Sequence, residues 1–299
     1  MLSLFTVPRA FEGHISVIQR NATKSWTLLD PKPEVILLGN EAGTAEVCRE
    51  FDLRHDRGIQ CNEFGTPLLS SAYRRVQEIA RNEWVCYCNC DIILTQSFMD
   101  AFLRLLKWRA QFLMVGQRTD LNIADALDFT KLDWEAALRQ VASRTGAQRS
   151  PDWIDYFLFS RSLCGFMLPF AVGCRLDDQW WLWKMQAAKV PVVDVSRVVL
   201  VVHQNHDYPR HPEGSTGLWK GVEFERNRAL AGSLRHQHTI ADAPYVLRPQ
   251  GIRRSYRHWG MQLKRDSTYL WHLLLGVTRT ARHRLGLRKQ NLGRGFHAK

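Results

Sequence analysis

The sequence predicts an α/β protein in which a mostly parallel sheet is covered by helices on both faces. Apolar runs of strand length alternate with amphipathic helical patterns from residue 2 to residue 118. The runs are apolar throughout rather than at every second position, which is typical of strands buried on both faces. The chain has 299 residues, of which 45% are hydrophobic, and this is enough to build a large packed core.

The elements of this first part follow in a regular order. The predicted strands are LSLFTV (Leu2–Val7), EVILLG (Glu34–Gly39), the stretch WVCYCNCDIIL from Trp84, and FLMVGQR. The predicted helices are His14–Trp26, Thr44–Phe51, a segment that begins near residue 66, and Ser97–Trp108. Thr66 is expected to be an N-cap with Pro67 in the first helical position. Ser97, with Asp100 three residues later, is expected to cap its own helix.

The second part of the chain has a less regular alternation of strand and helix patterns. A polar segment, Asp120–Arg149, contains one clear helical pattern, DWEAALRQVASR, and an aromatic segment of mixed character follows at Asp155–Phe170. A helix is predicted at Trp180–Lys189, followed by strand-like runs at Val190–Val195 and Arg197–His203. We expect one domain over residues 1–240 and a basic, partly helical extension over residues 241–299.

The positive charge of the protein is confined to this extension. From Arg248 to the end there are 13 Lys and Arg residues and one acidic residue, whereas the first 247 residues have 28 of each sign. A neutral main domain is not typical of nucleic-acid-binding proteins, so nucleic acid is not expected as a partner of that domain. Basic residues flank an apolar run, Tyr269–Val277, and this pattern predicts a helix that adsorbs to an anionic membrane surface. A solvated basic extension, a partner-binding helix and a nucleic-acid-binding tail are the alternatives.

Polar residues follow several strands at the point where each strand ends. They are Thr6 and Arg9 at the end of the first strand, with Pro8 between them, Asn40 and Glu41 after the second, and Asn89 and Asp91 after the strand from Trp84. Open parallel sheets bind ligands at the carboxyl ends of their strands. Neither GxGxxG nor a P-loop motif occurs after the first strand, so a bound diphosphate would need a divalent cation held by a carboxylate.

The tripeptide NCD (Asn89–Asp91) resembles the DxD-type metal motif of GT-A-fold glycosyltransferases. The likeness continues through NEFGTPLLSSAYRRVQEIARNEWVCYCNCDIIL, WIDYFLF, LPFAVG, DDQWWLWKMQAAKVPVVDV and VHQNHDY, over roughly residues 2–210. The resemblance implies a GT-A-like, Rossmann-type fold and a nucleotide-diphospho-sugar transferase that uses Mn²⁺ or Mg²⁺. The implied donor is a UDP-sugar, and the implied acceptor is a saccharide or a lipid-linked saccharide.

The resemblance also implies roles for particular residues. Asp91 and His203 would bind the metal, and Asn89 would be the outer member of the motif. The nucleotide would be lined by Thr6, Pro8 and Arg9, with Glu41 near its base or ribose. Related sequences read GRxxWDN where this chain reads GCRLDDQ, so Asp178 matches the family aspartate that acts as general base and Asp177 replaces a tryptophan.

Each of these residues also has an ordinary structural interpretation. Asp91 would cap the next helix, Asn89 would form a turn, and His203 would be a core residue. Asp177 and Asp178 would be the N-cap and the first-turn acid of the helix that follows. A zinc site at His203 and His206, and sugar stacking or core packing by Trp153 and Tyr156, are further alternatives.

Two other activities remain as alternatives, besides nucleic-acid binding by the basic tail. The weakened NCD motif allows a non-catalytic relative that binds nucleotide-sugars or glycans. A nucleotidyltransferase would need a Gly-rich basic loop after the first strand, and the sequence has none there.

The seven cysteines lie in apolar contexts typical of reduced core residues, which predicts a cytoplasmic protein. If the basic extension binds lipid, the protein would be peripheral at the inner membrane face.

Overall fold

The structure, a computed structural model, describes residues 1–206 and 220–284. Asp207, which belongs to the polar run after His203, and the basic residues beyond 284 lie outside this range. The described residues form two sheets with helices packed on both sides of the larger one. The predicted α/β class with a mostly parallel sheet is confirmed.

The larger sheet has nine strands in the order β13-β12-β10-β6-β9-β4-β1-β2-β3. Neighbouring strands are parallel except where β9 and β13 join the sheet, because both of these run antiparallel to their partners. The strands are β1 (Leu2–Thr6), β2 (Glu34–Leu38), β3 (Arg54–Asp56), β4 (Trp84–Cys88), β6 (Leu113–Val115), β9 (Tyr156–Ser160), β10 (Val192–Asp194), β12 (Tyr245–Arg248) and β13 (Gly251–Arg254).

The smaller sheet has the order β5-β11-β7-β8. Its strands are β5 (Ile92–Leu94), β11 (Val201–Gln204), β7 (Thr119–Leu121) and β8 (Ala147–Gln148). Strand β5 follows β4 after a three-residue turn, so the small sheet begins where one of the central strands of the large sheet ends. This connection brings the smaller sheet to the carboxyl end of β4.

Alternate residues of the central strands pack into two different cores. Phe5 of β1 and Tyr87 of β4 lie in one core, and Leu4 and Cys86, their immediate neighbours, lie in the other. This two-residue period is the geometry of a strand buried on both faces. The helices that cover the sheet and continue the chain are α1 (Gly13–Thr27), α2 (Thr44–Phe51), α3 (Leu69–Ile79), α4 (Gln96–Leu106), α5 (Trp134–Thr145), α6 (Asp177–Ala187), α7 (Val222–Ala231) and α8 (Arg257–Arg284).

Two predicted helix caps are wrong. Helix α3 begins at Leu69, because the residues before it form bridges from Pro67 to Cys61 and from Leu68 to Ala171. Thr66 is therefore outside the helix. Helix α4 has Thr95 at its N-cap position, and Ser97 lies inside the first turn. The Ser97 hydroxyl accepts a hydrogen bond of 3.0 Å from the backbone N–H of Leu200, which ties the helix to the strand region ahead of β11.

The larger sheet continues past the predicted domain boundary at residue 240. Strand β12 pairs with β10, and β13 pairs with β12, so the sheet ends at Arg254. The division at 240 stays a prediction. Helix α8 follows, and within the described residues no helix has the length and apolar character needed to cross a membrane.

Candidate active site

The small sheet brings Asp91 and His203 together. Strand β11 runs antiparallel to β5 with His203 opposite Ile92, the residue directly after Asp91. On its other side β11 runs parallel to β7 with His203 opposite Asp120. The central strand of the sheet therefore places one histidine between two aspartates. His203 lies 112 residues after Asp91 in the sequence, and only the pairing of the strands makes these residues neighbours.

Asp91, His203 and His206 form a cluster that we call the metal cluster. One potential ligand atom from each residue lies within 4.8 Å of the other two. Nε2 of His206 is 3.1 Å and Nε2 of His203 is 3.5 Å from Oδ2 of Asp91. The second carboxylate oxygen of Asp91, Oδ1, is buried and has no hydrogen-bond partner among the described residues. A buried carboxylate oxygen without a partner is costly unless a ligand satisfies it.

The histidines keep the Asp91 carboxylate ionised. Burial alone would raise the pKa of Asp91, but the charge of His203 and the contacts with His203 and His206 outweigh burial and hold it well below its usual range. Burial would lower the pKa of His203, whereas Asp91 and Asp120 raise it to about 9. The cluster therefore holds a proton in the absence of a cation, and a metal ion would displace that proton.

Asp120 contacts His203 on the side opposite Asp91. Its Oδ1 atom is 3.3 Å from Nδ1 of His203 and 2.8 Å from Nε of Arg118. Its Oδ2 atom accepts a bond of 2.5 Å from Nε of Arg149. Burial would raise the pKa of Asp120, but contact with His203 and the two arginines lowers it to about 2. A carboxylate behind a metal-binding imidazole is the usual way in which the ring is oriented.

Asn89, the outer residue of the NCD motif, points elsewhere. Its side-chain amide donates a hydrogen bond of 3.0 Å to Oδ1 of Asp155, and its backbone N–H donates to the Asp155 carbonyl. Arg118 donates to the same Asp155 oxygen at 2.8 Å. The structure thus places the Asn89 amide against Asp155, and Asn89 closes the turn by accepting from the backbone N–H of Ile92. Asp91 precedes a strand, so it does not cap a helix.

Asp177 and Asp178, which we call the carboxylate pair, are the first two residues of α6. Both are partly exposed. Burial is the largest influence on each: it raises the pKa of Asp177 to about 6, and burial together with the charge of Asp177 raises that of Asp178 well above its usual range. The charge of Asp155 also raises the pKa of Asp178, and Arg175 lowers it.

The backbone before the carboxylate pair has an unusual conformation. Arg175 has φ = 58° and Leu176 has φ = 73°, both in the left-handed region that non-glycine residues rarely adopt. Such strain persists where the surroundings hold it, and it often accompanies functional sites. Here it delivers two acidic residues to the N-terminus of a helix whose Trp181 is completely buried.

Trp153 connects the carboxylate pair to the residues around the metal cluster. Its ring lies 4.8 Å from the guanidinium of Arg175, 4.7 Å from that of Arg118 and 5.6 Å from that of Arg149. Trp153 therefore makes cation–π contacts with three arginines, each of which lies near carboxylates of the candidate site. Tyr156, the other aromatic candidate, is a buried residue of β9.

The residues predicted to line a nucleotide lie at the ends of β1 and β2. Thr6 is the last residue of β1, and its buried hydroxyl has no hydrogen-bond partner among the described residues. Pro8 is buried, and the backbone of Arg9 is fixed because its N–H donates to Gln19 and its carbonyl accepts from the same side chain. Glu41 is partly exposed in the turn before α2. The structure leaves their nucleotide-binding role as a prediction.

Sequence reasoning missed several residues of this site. Arg118, Asp120 and Asp155 were not predicted, and His206 was considered only for zinc. Asp155 stands directly before an apolar strand, YFLFS, and Asp120 follows the run FLMVGQR by two residues. Polar residues at strand ends were the signal, and the strand-end residues considered from the sequence followed only LSLFTV, EVILLG and the strand from Trp84.

Comparison of the sequence with protein-family models and with curated proteins finds no match. Comparison of the structure with solved structures finds S. aureus TarS 1-349 in complex with UDP-GlcNAc, with a TM-score of 0.51 and 12% identity, over 77% of this chain and 64% of that one. The same TarS fragment on its own matches with a TM-score of 0.45 and 9% identity, over 68% of this chain and 60% of that one. This chain thus spans less than two thirds of the TarS fragment.

A further match is glucosyl-3-phosphoglycerate synthase from Mycobacterium tuberculosis in complex with Mn²⁺, UDP and phosphoglyceric acid. It has a TM-score of 0.42 and 16% identity, over 70% of this chain and 72% of that one. The likeness to the TarS complex with UDP-GlcNAc shows that this chain has the GT-A glycosyltransferase fold, as the sequence predicted.

Proposed function

We propose that this protein is a glycosyltransferase that moves a sugar from a nucleoside-diphosphate donor, a UDP-sugar, to a hydroxyl group of a saccharide or lipid-linked saccharide. The observation that carries the proposal is the metal cluster. A carboxylate with an unsatisfied buried oxygen and two imidazoles converge at the carboxyl end of a central strand of a GT-A sheet. Ligands of open parallel sheets bind at that edge.

The donor set of the cluster fits a divalent cation. Asp91 supplies a hard oxygen, and His203 and His206 supply nitrogen atoms, a combination that suits Mn²⁺ better than Mg²⁺ because Mg²⁺ prefers oxygen ligands. When bound, the ion would neutralise the negative charge that develops on the departing diphosphate. Asp120 would keep the His203 ring in the orientation that ligation needs. Asn89, bonded to Asp155, would stiffen the turn that carries Asp91.

Asp178 is the proposed general base. An acceptor hydroxyl must lose its proton as it attacks the sugar, and a carboxylate with a raised pKa takes a proton more readily than an ordinary one. The environment of Asp178 raises its pKa in this way. Asp177 would act by its charge, since its carboxylate disfavours a second negative charge on its neighbour.

The nucleotide would lie over the ends of β1 and β2. Thr6 offers an unpartnered buried hydroxyl there, and Pro8 and Arg9 form a fixed backbone next to it. Glu41 lies at the end of the neighbouring strand, where it would approach the ribose or the base. The seven unpaired cysteines support a reducing, cytoplasmic setting for this chemistry.

A donor screen tests the proposal. The thermal midpoint of the purified chain is measured with a panel of UDP-sugars and other nucleotide sugars, each with and without Mn²⁺, because a ligand that binds only the folded state raises the midpoint. We expect stabilisation by a UDP-sugar that depends on Mn²⁺, followed by release of UDP from the same donor.

The alternatives give different results in the same screen. Stabilisation without any turnover, on a range of saccharide acceptors and water, would indicate a non-catalytic binding protein. No stabilisation by any nucleotide sugar in the presence of Mn²⁺ would contradict the proposal.

A further inference from the structure

Helix α8 carries a concentration of exposed apolar side chains. Of the thirteen large apolar residues exposed in the described part of the chain, five lie between residues 256 and 271. Their exposed fractions are 68% for Tyr256, 60% for Trp259, 72% for Leu263, 58% for Leu270 and 62% for Trp271. We call these five residues the apolar stripe. The other eight are scattered over the rest of the surface, which is ordinary for a globular protein.

The stripe follows one side of the helix. Trp259, Leu263 and Leu270 are separated by four and seven residues, and an α-helix with 3.6 residues per turn brings such positions to the same face. Tyr256, directly before the helix, extends the stripe at its beginning, and Trp271 widens it at the other end. The apolar segment predicted from the sequence is Tyr269–Val277, so the exposed stripe starts earlier than predicted.

The opposite side of the helix is fastened to the body of the protein. Arg265 donates hydrogen bonds to the buried carboxylate of Asp242 at 2.6 Å and to the carbonyl of Gln237 at 3.2 Å. Arg235 pairs at 2.8 Å with Asp266, which borders the stripe because it follows Leu263 by three residues. The Arg235 guanidinium also lies 5.4 Å from the centre of the Tyr269 ring. Because Arg265 follows Leu263 by two residues, it lies about 200° around the helix from it. The body therefore holds α8 along the side that bears Arg265 and Tyr269, with Asp266 at the edge of the stripe, and the five stripe residues stay exposed.

Exposed basic residues accompany the stripe. Arg257 and Lys264 are exposed on the helix itself, and Arg253 and Arg254 are exposed on strand β13 just before it. From residue 248 onward the sequence has 13 Lys and Arg residues and a single acidic one, and that acid, Asp266, is already paired. An apolar stripe within a strongly positive segment is complementary to a surface that has negatively charged groups on the outside and an apolar layer beneath them.

We propose that α8 lies in the interface of an anionic lipid bilayer, with the apolar stripe among the acyl chains and the basic residues at the headgroups. Trp and Tyr favour this boundary because their rings are apolar and their N–H and O–H groups stay near water. A nucleic acid would use the positive charge and would leave Leu263 and Leu270 without a role. The proposal concerns a different surface from the metal cluster and does not depend on the transferase activity.

Vesicle flotation tests the proposal with the full chain. Binding is compared on vesicles of phosphatidylcholine alone and of phosphatidylcholine mixed with phosphatidylglycerol. We expect binding to the mixed vesicles that is at least tenfold weaker on phosphatidylcholine alone and that weakens as salt is added, because each basic residue near an anionic surface contributes to the attraction.

Two substitutions of the same chemical type separate the stripe from a general effect of charge. Leu263→Glu places a carboxylate in the stripe and should weaken vesicle binding at least tenfold. Leu132→Glu makes the same change at a fully exposed position outside α8, and binding should stay within about twofold of the unchanged protein. Both positions are exposed, so the thermal midpoint of each variant should equal that of the parent.

Other occupants of the stripe would give distinct results. Vesicle binding that is equal for Leu263→Glu and Leu132→Glu would overturn the proposal. So would a dimer in sedimentation velocity that Leu263→Glu dissociates while neither vesicle type is bound, since the stripe would then join two copies of the chain. Salt-dependent binding to duplex DNA without any vesicle binding would assign the tail to nucleic acid and would also overturn the proposal.

Discussion

The metal cluster and the carboxylate pair are two groups of acids in opposite electrostatic surroundings. Asp91 lies beside two imidazoles, so its pKa is held below the usual range despite burial. Asp177 and Asp178 lie next to each other with Arg175 as the cation that moderates them, and burial raises the pKa of both. One arrangement favours a carboxylate that is always charged, and the other favours a carboxylate that accepts a proton.

This difference matches two separate chemical tasks. A metal ligand must be ionised to bind a cation, and cationic or hydrogen-bonding neighbours keep it so until the cation replaces the proton on them. A general base must take up a proton and release it again, and burial beside a second carboxylate raises its pKa so that it accepts a proton more readily. The proposed roles, cation binding by Asp91 and proton transfer by Asp178, are consistent with this difference. Changing either group alone tests them.

The largest effect is expected from Asp91→Asn. The substitution keeps the shape of the side chain and removes the charge that the cation needs, so Mn²⁺ binding should be lost and turnover of the donor should fall roughly 10³-fold. Isothermal titration with Mn²⁺ and an assay of UDP release measure the two quantities. Asp128→Asn is the control and should change neither, because Asp128 is exposed and its partners among the described residues are Thr130, in the same turn, and Lys131. Retained Mn²⁺ affinity in Asp91→Asn would remove this residue from the site.

The next effect in size is expected from Asp178→Asn. Turnover should fall about 10²-fold because the base is lost, while Mn²⁺ affinity should stay unchanged because this residue is outside the metal cluster. The retained amide oxygen can still accept from the backbone N–H of Gln179, as the carboxylate does at 2.8 Å. A parallel loss of Mn²⁺ affinity would show that the two groups are one site, and the comparison would fail.

The same variant should be more stable than the parent at neutral pH. Burial raises the native pKa of Asp177 to about 6 and that of Asp178 well above its usual range. The folded protein therefore keeps protons that the unfolded chain releases near pH 4, and its stability falls as pH rises through the native pKa. Removing one of the two charges should raise the free energy of unfolding by about 1 kcal/mol at pH 7.5. Urea denaturation at pH 7.5 and pH 4 should show this gain at the higher pH only.

The sequence was sufficient for the fold and for two of the three residues of the metal cluster. The apolar runs and helical periods fixed the alternation of elements, because strands buried on both faces and amphipathic helices have distinct patterns. Helix α1, predicted at His14–Trp26, is Gly13–Thr27 in the structure. Asp91 and His203 were found through the family resemblance. The cap at Thr66 was wrong because tertiary bridges before α3 prevail over local capping preference.

The remaining parts of the site depend on strand pairing that no local pattern encodes. Asp120 becomes a neighbour of His203 only because β7 pairs with β11 in one register, and a shift by one residue would turn it to the other face. The role of Asn89 depends on Asp155, which belongs to the connection into an antiparallel strand inserted among parallel ones. The predicted strand Arg197–His203 begins only at Val201, so the sequence could not give its register either.

A moderate effect is expected from Asp120→Asn. An amide in this position no longer favours the imidazole orientation that ligation needs, so Mn²⁺ affinity should fall roughly 10- to 100-fold. Saturating Mn²⁺ should restore most of the turnover, because Asp120 touches His203 and not the cation site itself. Arg149→Gln removes the partner of the other Asp120 oxygen and should weaken Mn²⁺ binding only a few-fold. Turnover that stays low at saturating Mn²⁺ would mean that Asp120 acts on the reaction directly.

The smallest effect on metal binding is expected from Asn89→Asp, which restores the acidic first residue of a DxD motif. If the motif alone determined affinity, the added carboxylate would strengthen Mn²⁺ binding. In the structure the Asn89 amide donates to Asp155 at 3.0 Å, so a carboxylate there would face another carboxylate and lose a hydrogen bond. We expect unchanged Mn²⁺ affinity and a loss of about 1–3 kcal/mol in the free energy of unfolding. Asn89→Ala, which removes the amide without adding charge, should be destabilised less, and the difference between the two variants measures the repulsion. Tighter Mn²⁺ binding by Asn89→Asp would show that residue 89 belongs with Asp91 at the cation rather than with Asp155 behind it.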